Sequence, residues 1–169
     1  MNKSHFFQNH CMSNKPIQTD VLIIGASASG LMCAIEAGKR GRKVIVLDHA
    51  NKAGKKILMS GGGRCNFTNR GCSAANFLSK NRHFCTSALS SYTQHDFIAW
   101  IERHCIAYHE RNLGQLFCDG SAQQIIEMLV SEARNAGVAL RLGSSVDRVA
   151  RDSTGFVATG DGLAARCDS

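Results

Sequence analysis

The hydrophobic pattern predicts a strand, a helix and a second strand in succession. Residues 21–24 (VLII) form a continuous apolar run that is typical of a strand buried on both faces. Apolar residues then recur at helical spacing from Ser29 to Arg40, and Gly41 follows as a stop signal. A second apolar run, residues 44–47 (VIVL), ends at Asp48. This order predicts a βαβ unit whose two strands are parallel.

The rest of the chain predicts two irregular segments and a regular C-terminal half. Residues 1–18 are polar and aperiodic, and we expect them to form a disordered extension before a single domain over residues 19–169. Residues 49–82 show little periodicity and predict a long functional loop. Amphipathic helices are expected over residues 94–105 and from Ser121, where Ser121 and Gln124 fit a capping box. The remaining strand predictions are residues 138–142, 146–150, 156–159 and 163–167, the last three as a short β-meander.

Composition favours a cytoplasmic protein with an anionic ligand. The longest apolar runs are four or five residues, far short of the ~20 that span a membrane, and no signal-peptide core is present. The formal charge of +7 is densest around residues 39–64, which favours a phosphate-bearing small molecule. This pattern disfavours nucleic acid as a partner, because the aromatic residues are scattered and form no recognisable stacking platform.

Cysteine and histidine spacing predicts no metal site. The chain has eight cysteines and seven histidines, but none stands in the C-x-x-C or H-E-x-x-H arrangements that bind zinc. Cys65 and Cys72 are seven residues apart and therefore do not form a closely spaced redox pair, so a packing role is expected for Cys65.

A glycine-containing turn between the first strand and helix suggests dinucleotide binding. Such turns need glycine for a tight bend and a close approach to pyrophosphate, and an acidic residue about 20 positions later for a ribose hydroxyl. The turn here is GASASG, and Asp48 lies 18 residues after its last glycine. Serine replaces the middle glycine, and we expect strain of ~1–3 kcal/mol if that position needs a glycine-type conformation. A plain βα turn is the alternative. The candidate residues are Gly25, Ala26, Ser27, Ser29, Gly30 and Asp48.

A second glycine-rich string, GKKILMSGGGRCNFTN over residues 54–69, also fits an anionic ligand. Successive glycines beside lysine and arginine supply backbone amides and cationic donors. The string lacks the Gly-Lys-Ser/Thr order of a Walker A loop, which disfavours an ATPase. A flexible hinge with solvated charge is the alternative. The candidate residues are Lys56, Ser60, Gly61, Gly62, Gly63, Arg64, Cys65 and Asn66.

The run from Asp20 to Asn69 resembles the N-terminal segment of a family of bacterial NAD(P)/FAD-dependent flavoproteins. This family includes aminoacetone oxidase-like enzymes and BaiN-like bile-acid reductases. This resemblance implies an α/β, Rossmann-like FAD-binding domain with a parallel sheet and a partial β-meander, incomplete at its C-terminus. It places the GASASG turn at the FAD pyrophosphate, Asp48 at the adenosine ribose, and residues 56–66 along the path to the flavin. Family members are longer, with a substrate domain and a C-terminal FAD segment that this chain lacks.

The implied function is FAD-dependent oxidation or reduction of an unknown small-molecule substrate by hydride transfer, with NAD(P)H as a possible electron donor. The alternative is a catalytically inactive fragment with at most weak binding of FAD or another adenine dinucleotide. No catalytic residue and no oligomeric state is assigned.

Overall fold

A computed structural model describes residues 16–169. The strands in this range are β1 (Ile17–Thr19), β2 (Val21–Ile24), β3 (Val44–Asp48), β4 (Asn66–Asn69), β5 (Tyr108–Glu110), β6 (Gln115–Cys118), β7 (Ala139–Leu142), β8 (Arg148–Asp152), β9 (Gly155–Gly160) and β10 (Leu163–Cys167). The helices are α1 (Ala28–Lys39), α2 (Lys55–Met59), α3 (Thr86–Ser91), α4 (Gln94–Arg103) and α5 (Gln123–Asn135). Short 3-10 turns occupy Ser60–Gly63, Ala74–Asn76 and Asn112–Gly114.

A three-stranded parallel sheet contains the two strands of the predicted βαβ unit. Its order is β2-β3-β7, and both strand pairs are parallel. Helix α1 connects β2 to β3, which confirms the predicted βαβ unit. Residues Val44 to Leu47 of the central strand are all buried, as their continuous apolar run predicts for a strand covered on both faces. The strand predicted over residues 138–142 is confirmed as β7.

Helix α1 packs against β2, β3 and α5, and α4 contributes to the same core. Leu31, Ile35, Ile101 and Leu129 have at most 1% of their surface exposed and belong to one core cluster. Helix α4 ends at Arg103, earlier than the predicted Cys105, because His104 is the C-cap and Cys105 has a left-handed φ of 53°.

The start of α5 differs slightly from the predicted capping box. Ser121 Oγ accepts the Gln123 amide at 3.2 Å, and the Gln124 side chain accepts the Ser121 amide at 3.3 Å. The two side chains therefore satisfy amides at the helix start as expected, but the regular helix begins at Gln123, two residues after Ser121.

The predicted β-meander is confirmed, and it gains one strand that the sequence did not indicate. Strands β8, β9 and β10 are antiparallel neighbours, and β1 pairs in parallel with β10. The predicted disordered extension is thus wrong for Ile17 and Gln18, whose backbones are held by β10. The rest of that prediction, residues 1–15, lies outside the described residues.

The prediction of a long loop over residues 49–82 is wrong in part. This segment contains α2, the Ser60–Gly63 turn and β4. Strand β4 pairs with β6, which also pairs with β5, in a separate antiparallel sheet of order β4-β6-β5. Helix α2 is only five residues long, which is too short for a helical periodicity to be recognised in the sequence. Strand β4 was missed because its pairing partner lies more than 40 residues away in sequence.

Candidate functional site

The glycine turn between β2 and α1 requires two of its glycines. Gly25 has a φ of 110°, which side chains rarely adopt, and its amide donates to Leu47 O at 2.7 Å. A Cβ on Gly30 would lie 1.9 Å from the carbonyl oxygen of Gly25. Glycine at position 30 therefore allows α1 to start directly against the end of β2, as dinucleotide-binding turns do.

Ser27 occupies the N-cap of α1 without backbone strain. Its φ of −84° and ψ of 178° are extended, and its Oγ accepts the Gly30 amide at 3.4 Å. The expectation of a strained glycine-type conformation is wrong, because this backbone geometry suits a serine cap. Within residues 16–169, the amides of Ala28 and Ser29 have no hydrogen-bond acceptor. They remain available to an anion at the helix N-terminus.

Asp48 is fixed by two backbone amides at the end of β3. One carboxylate oxygen accepts the Ala26 amide at 2.6 Å, and the other accepts the Ala50 amide at 2.7 Å. The side chain is only 14% exposed. It therefore ties the glycine turn to the end of β3, while each carboxylate oxygen keeps capacity for a further hydrogen bond.

The second glycine string forms a left-handed turn after α2. Gly61, Gly62 and Gly63 have φ values of 56°, 65° and 86°. A Cβ on Gly61 would lie 2.7 Å from the Phe117 ring, whereas one on Gly62 would meet nothing within 4 Å. The Gly63 carbonyl accepts the Ala122 amide at 2.8 Å, so the turn is held against the start of α5.

Cys65, directly after this turn, is a buried thiol in a left-handed conformation with a φ of 51°. Burial raises the pKa of Cys65, and a hydrogen bond with Ser60 opposes that rise. Burial also raises the pKa of Cys118 to about 11, with a smaller contribution from Cys65. The cysteine coupled to Cys65 is thus Cys118 on β6, which sequence spacing missed. A raised pKa disfavours the thiolate at neutral pH, which is consistent with a packing role for both thiols.

A cavity of about 750 Å³ lies between the two glycine turns. Eight of the predicted site residues line it: Ala26, Ser27, Ser29, Asp48, Lys56, Ser60, Cys65 and Asn66. The other six, Gly25, Gly30, Gly61, Gly62, Gly63 and Arg64, are outside the lining; the glycines shape the two turns, and Arg64 is exposed. The structure therefore brings residues of the two sequence motifs together in the lining of one cavity.

The cavity also has an apolar wall that sequence reasoning did not assign. It consists of Met32, Ile57, Phe67, Phe97, Ile125 and Leu129. These residues come from α1, α2, β4, α4 and α5, so no single motif contains them. Their only sequence signal is the apolar face of each helix, which is equally typical of core packing. Lys52 and Lys55 complete the basic side of the cavity.

The donor set suits a large nucleotide with a diphosphate. The free amides at the start of α1 and the lysines near α2 are suited to an anion, Asp48 to hydroxyl groups, and the apolar wall to an aromatic ring. Within residues 16–169, no group of three or more histidine, cysteine or acidic side chains is arranged to hold a metal ion. No helix of the described region is both long and apolar enough to span a membrane.

Fold and cavity together define a Rossmann domain with a candidate dinucleotide site. The profile of the HI0933-like protein Rossmann domain matches residues 19–169. The chain belongs to this family.

Two curated relatives and one solved structure illustrate the similarity. The chain is 52% identical over 149 residues to the ribosomal RNA dihydrouridine synthase of Escherichia coli K12, covering 88% of the chain and 37% of the relative. It is 29% identical to the 3-dehydro-bile acid delta(4,6)-reductase of Clostridium scindens, covering 83% and 35%. The 3-ketosteroid-delta4-(5alpha)-dehydrogenase of Rhodococcus jostii RHA1 shares the fold, with a TM-score of 0.65, 16% identity and coverage of 94% and 46%. The chain thus spans little more than a third of the curated relatives.

Proposed function

We propose that this chain is the FAD-binding part of a flavin-dependent oxidoreductase. The observation that carries the proposal is a single cavity whose lining combines residues of the GASASG turn and Asp48 with residues of the GKKILMSGGGRCN string. Family membership and the resemblance to flavoproteins support FAD over other dinucleotides.

Each wall would hold a different part of FAD. The Ala28 and Ser29 amides would receive the pyrophosphate at the N-terminus of α1, and Asp48 would accept the adenosine ribose hydroxyls. Lys56 and the segment from Ser60 to Asn66 would lead toward the isoalloxazine. When bound, the flavin supplies hydride transfer, while the protein binds and orients it. NAD(P)H is the proposed electron donor.

We further propose a conjugated carbon–carbon double bond as the group that is reduced. The names of the two curated relatives, a dihydrouridine synthase and a delta(4,6)-reductase, both denote addition of hydrogen across such a bond. The higher identity to the first supports uridine in ribosomal RNA as the substrate, rather than the small molecule expected from the sequence.

The decisive experiment is FAD titration of the purified chain, followed by the flavin visible spectrum and by thermal unfolding. Saturating FAD at about 100 times its Kd should stabilise the chain by about 2.7 kcal/mol. Lys56→Gln should weaken FAD binding, and Lys43→Gln, an exposed lysine outside the cavity, is the matched control. Absence of both a bound-flavin spectrum and a thermal shift would contradict the proposal.

A second candidate function is nucleotide binding without turnover. It is favoured by the cavity lining, which offers donors for a nucleotide while no residue of the described range is assigned a catalytic role. FAD binding with no NAD(P)H oxidation in the presence of ribosomal RNA would support this candidate, whereas FAD-dependent NAD(P)H oxidation would exclude it.

A further inference from the structure

The entire net charge of the protein lies in one segment. Residues 49–95, here called the basic segment, contain seven of the 20 lysine and arginine residues and none of the 13 acidic residues. Thirteen basic and thirteen acidic residues remain elsewhere, so the rest of the chain is formally neutral. The seven cations are Lys52, Lys55, Lys56, Arg64, Arg70, Lys80 and Arg82.

Almost all of these cations lack an acidic partner. Within the described part of the chain, Arg70 is the only one of the seven that pairs with a carboxylate, that of Glu110 at 2.7 Å. Charges that the protein itself does not neutralise attract polyanions. Because these charges are concentrated on the basic segment, a polyanion is attracted to this segment rather than to the rest of the chain.

The middle of the basic segment exposes large apolar side chains. In residues 71–85, here called the aromatic loop, Phe77 is 42% exposed, Phe84 54% and Leu78 97%. The two phenylalanine rings lie edge to face, with centroids 6.5 Å apart. Lys80 and Arg82 stand between them in sequence and are exposed. Exposed aromatic rings interleaved with unpaired cations are typical of single-stranded nucleic-acid binding surfaces.

Local hydrogen bonds hold the aromatic loop in one shape. Ser73 and Asn76 form a reciprocal capping box, and the Asn81 side chain accepts the His83 amide at 3.0 Å. The buried Cys85 anchors the far end, with its Sγ 4.0 Å from Ala74 O. The rings are therefore presented on a shaped loop, which lowers the entropy cost of binding.

Strand β4 connects this loop to the cavity. Asn66 and Phe67 at the start of β4 line the cavity, and the strand ends at Asn69, just before the aromatic loop. The Gln94 side chain donates to Arg70 O at 3.0 Å, which fixes the base of the loop to α4. A chain bound along the loop would thus be led along one strand to the cavity wall.

We propose that the aromatic loop and the surrounding cations of the basic segment bind single-stranded RNA, with bases stacked on Phe77 and Phe84 and phosphates on Lys80 and Arg82. This inference rests on the proposed function for its RNA substrate and extends it, because it names the surface that receives the RNA. Although the sequence disfavoured nucleic acid for lack of a stacking platform, two exposed rings that are seven residues apart are neighbours in the fold.

The test measures binding of a fluorescein-labelled oligouridine to the 169-residue chain by fluorescence anisotropy across a salt series. The double variant Phe77→Ala/Phe84→Ala should weaken binding about 10- to 100-fold. Lys80→Gln/Arg82→Gln should weaken it and lower the slope of log K against log salt by about 1.4, since each phosphate contact on a single strand contributes about 0.7. Arg141→Gln/Arg148→Gln removes the same charge from exposed positions outside the basic segment and should change neither.

Several outcomes would overturn the inference. Equal losses in the two charge variants, or no loss in the phenylalanine variant, would show general attraction of a polyanion to a cationic protein. Tighter binding to phosphatidylglycerol vesicles than to the oligouridine, through the same residues, would identify a membrane surface instead. FAD titration of the unsubstituted chain separates the two proposals: FAD binding without RNA binding contradicts this inference alone, and RNA binding without FAD binding contradicts the proposed function.

Discussion

Position 27 shows that a residue type and a backbone conformation have to be judged separately. The dinucleotide-binding fingerprint has glycine there, yet the φ of −84° at Ser27 is open to any residue. Only the Cβ could hinder a pyrophosphate. We therefore expect Ser27→Gly to tighten FAD binding by less than about tenfold, since no strain is released. Isothermal titration of both forms measures this, and a gain of 100-fold would show that the Cβ does obstruct the site.

For Gly30 we predict the opposite, a large effect of substitution, because the constraint at this position is the space for a side chain rather than the φ angle. An alanine Cβ there would meet the Gly25 carbonyl oxygen at 1.9 Å, so the turn or the start of α1 must move. We expect Gly30→Ala to lower the free energy of unfolding by at least about 2 kcal/mol and to abolish FAD binding. Urea unfolding followed by circular dichroism measures the first effect.

Gly137 provides the matched control for that substitution. It follows the C-cap of α5 with a φ of 75°, and a Cβ there would meet nothing within 4 Å. Gly137→Ala should therefore cost only about 1 kcal/mol, the strain of a left-handed alanine, and leave FAD binding intact. Equal losses of stability in the two variants would contradict the steric argument for Gly30.

At the scale of elements, the β-meander contains a charge-assisted clamp. Arg166 on β10 donates to both carboxylate oxygens of Asp152, at 3.0 and 2.7 Å, and Thr154 donates to the same carboxylate. The hydrogen bond from Arg166, followed by those from Thr154, lowers the pKa of Asp152 well below its usual value. The clamp joins the β8–β9 turn to β10.

This lowered pKa predicts how stability depends on pH. A carboxyl group whose pKa is lower in the folded state stabilises the fold above its unfolded pKa of about 4, and that contribution is lost as pH falls through the folded pKa. Asp152→Asn should therefore lower the melting temperature at neutral pH, with a difference that shrinks below about pH 4. Asp147→Asn, an exposed neighbour whose side chain has no hydrogen bond within residues 16–169, is the control. A difference that stays constant from neutral to acidic pH would refute the clamp's ionic character.

Among the elements, those with a local sequence signal could be predicted, whereas those that depend on contacts between distant segments could not. The apolar runs ending at Ile24 and Leu47 both predicted their strands, and the turn from Gly25 to Gly30 was recognised by spacing alone. Only the second run is buried over its whole length. The expectation of burial on both faces is wrong for the first run, because residues 21–23 are half-buried and Ile24 is 56% exposed. Strand β4 and Cys118 were missed because both depend on the pairing of β4 with β6, a contact between distant segments. The apolar cavity wall was missed for the same reason, since five separate elements contribute to it.

At the scale of the whole molecule, the carboxylate of Glu132 connects helices α1, α4 and α5. Glu132 on α5 accepts a hydrogen bond from His104 Nε2 at 2.9 Å and lies 3.6 Å from Lys39 Nζ at the end of α1. His104 caps α4, and the Lys39 ammonium lies 5.5 Å from the Trp100 ring centroid. Helices α1, α4 and α5 thus meet at the Glu132 side chain, which is only 19% exposed.

This position predicts a larger effect than an ordinary surface pair. Glu132→Gln should lower the free energy of unfolding by about 1 kcal/mol, because the Lys39 ammonium loses its ion-pair partner and His104 keeps only a neutral hydrogen-bond partner. Glu36→Gln, which breaks an exposed i,i+4 pair with Arg40, should cost at most about 0.5 kcal/mol. Urea unfolding of both variants at low and high salt tests the comparison, and only the Glu36 effect should vanish at high salt, since partly buried pairs are screened less. If both variants lost the same free energy of unfolding and both losses vanished at high salt, helix packing rather than Glu132 would hold these three helices together.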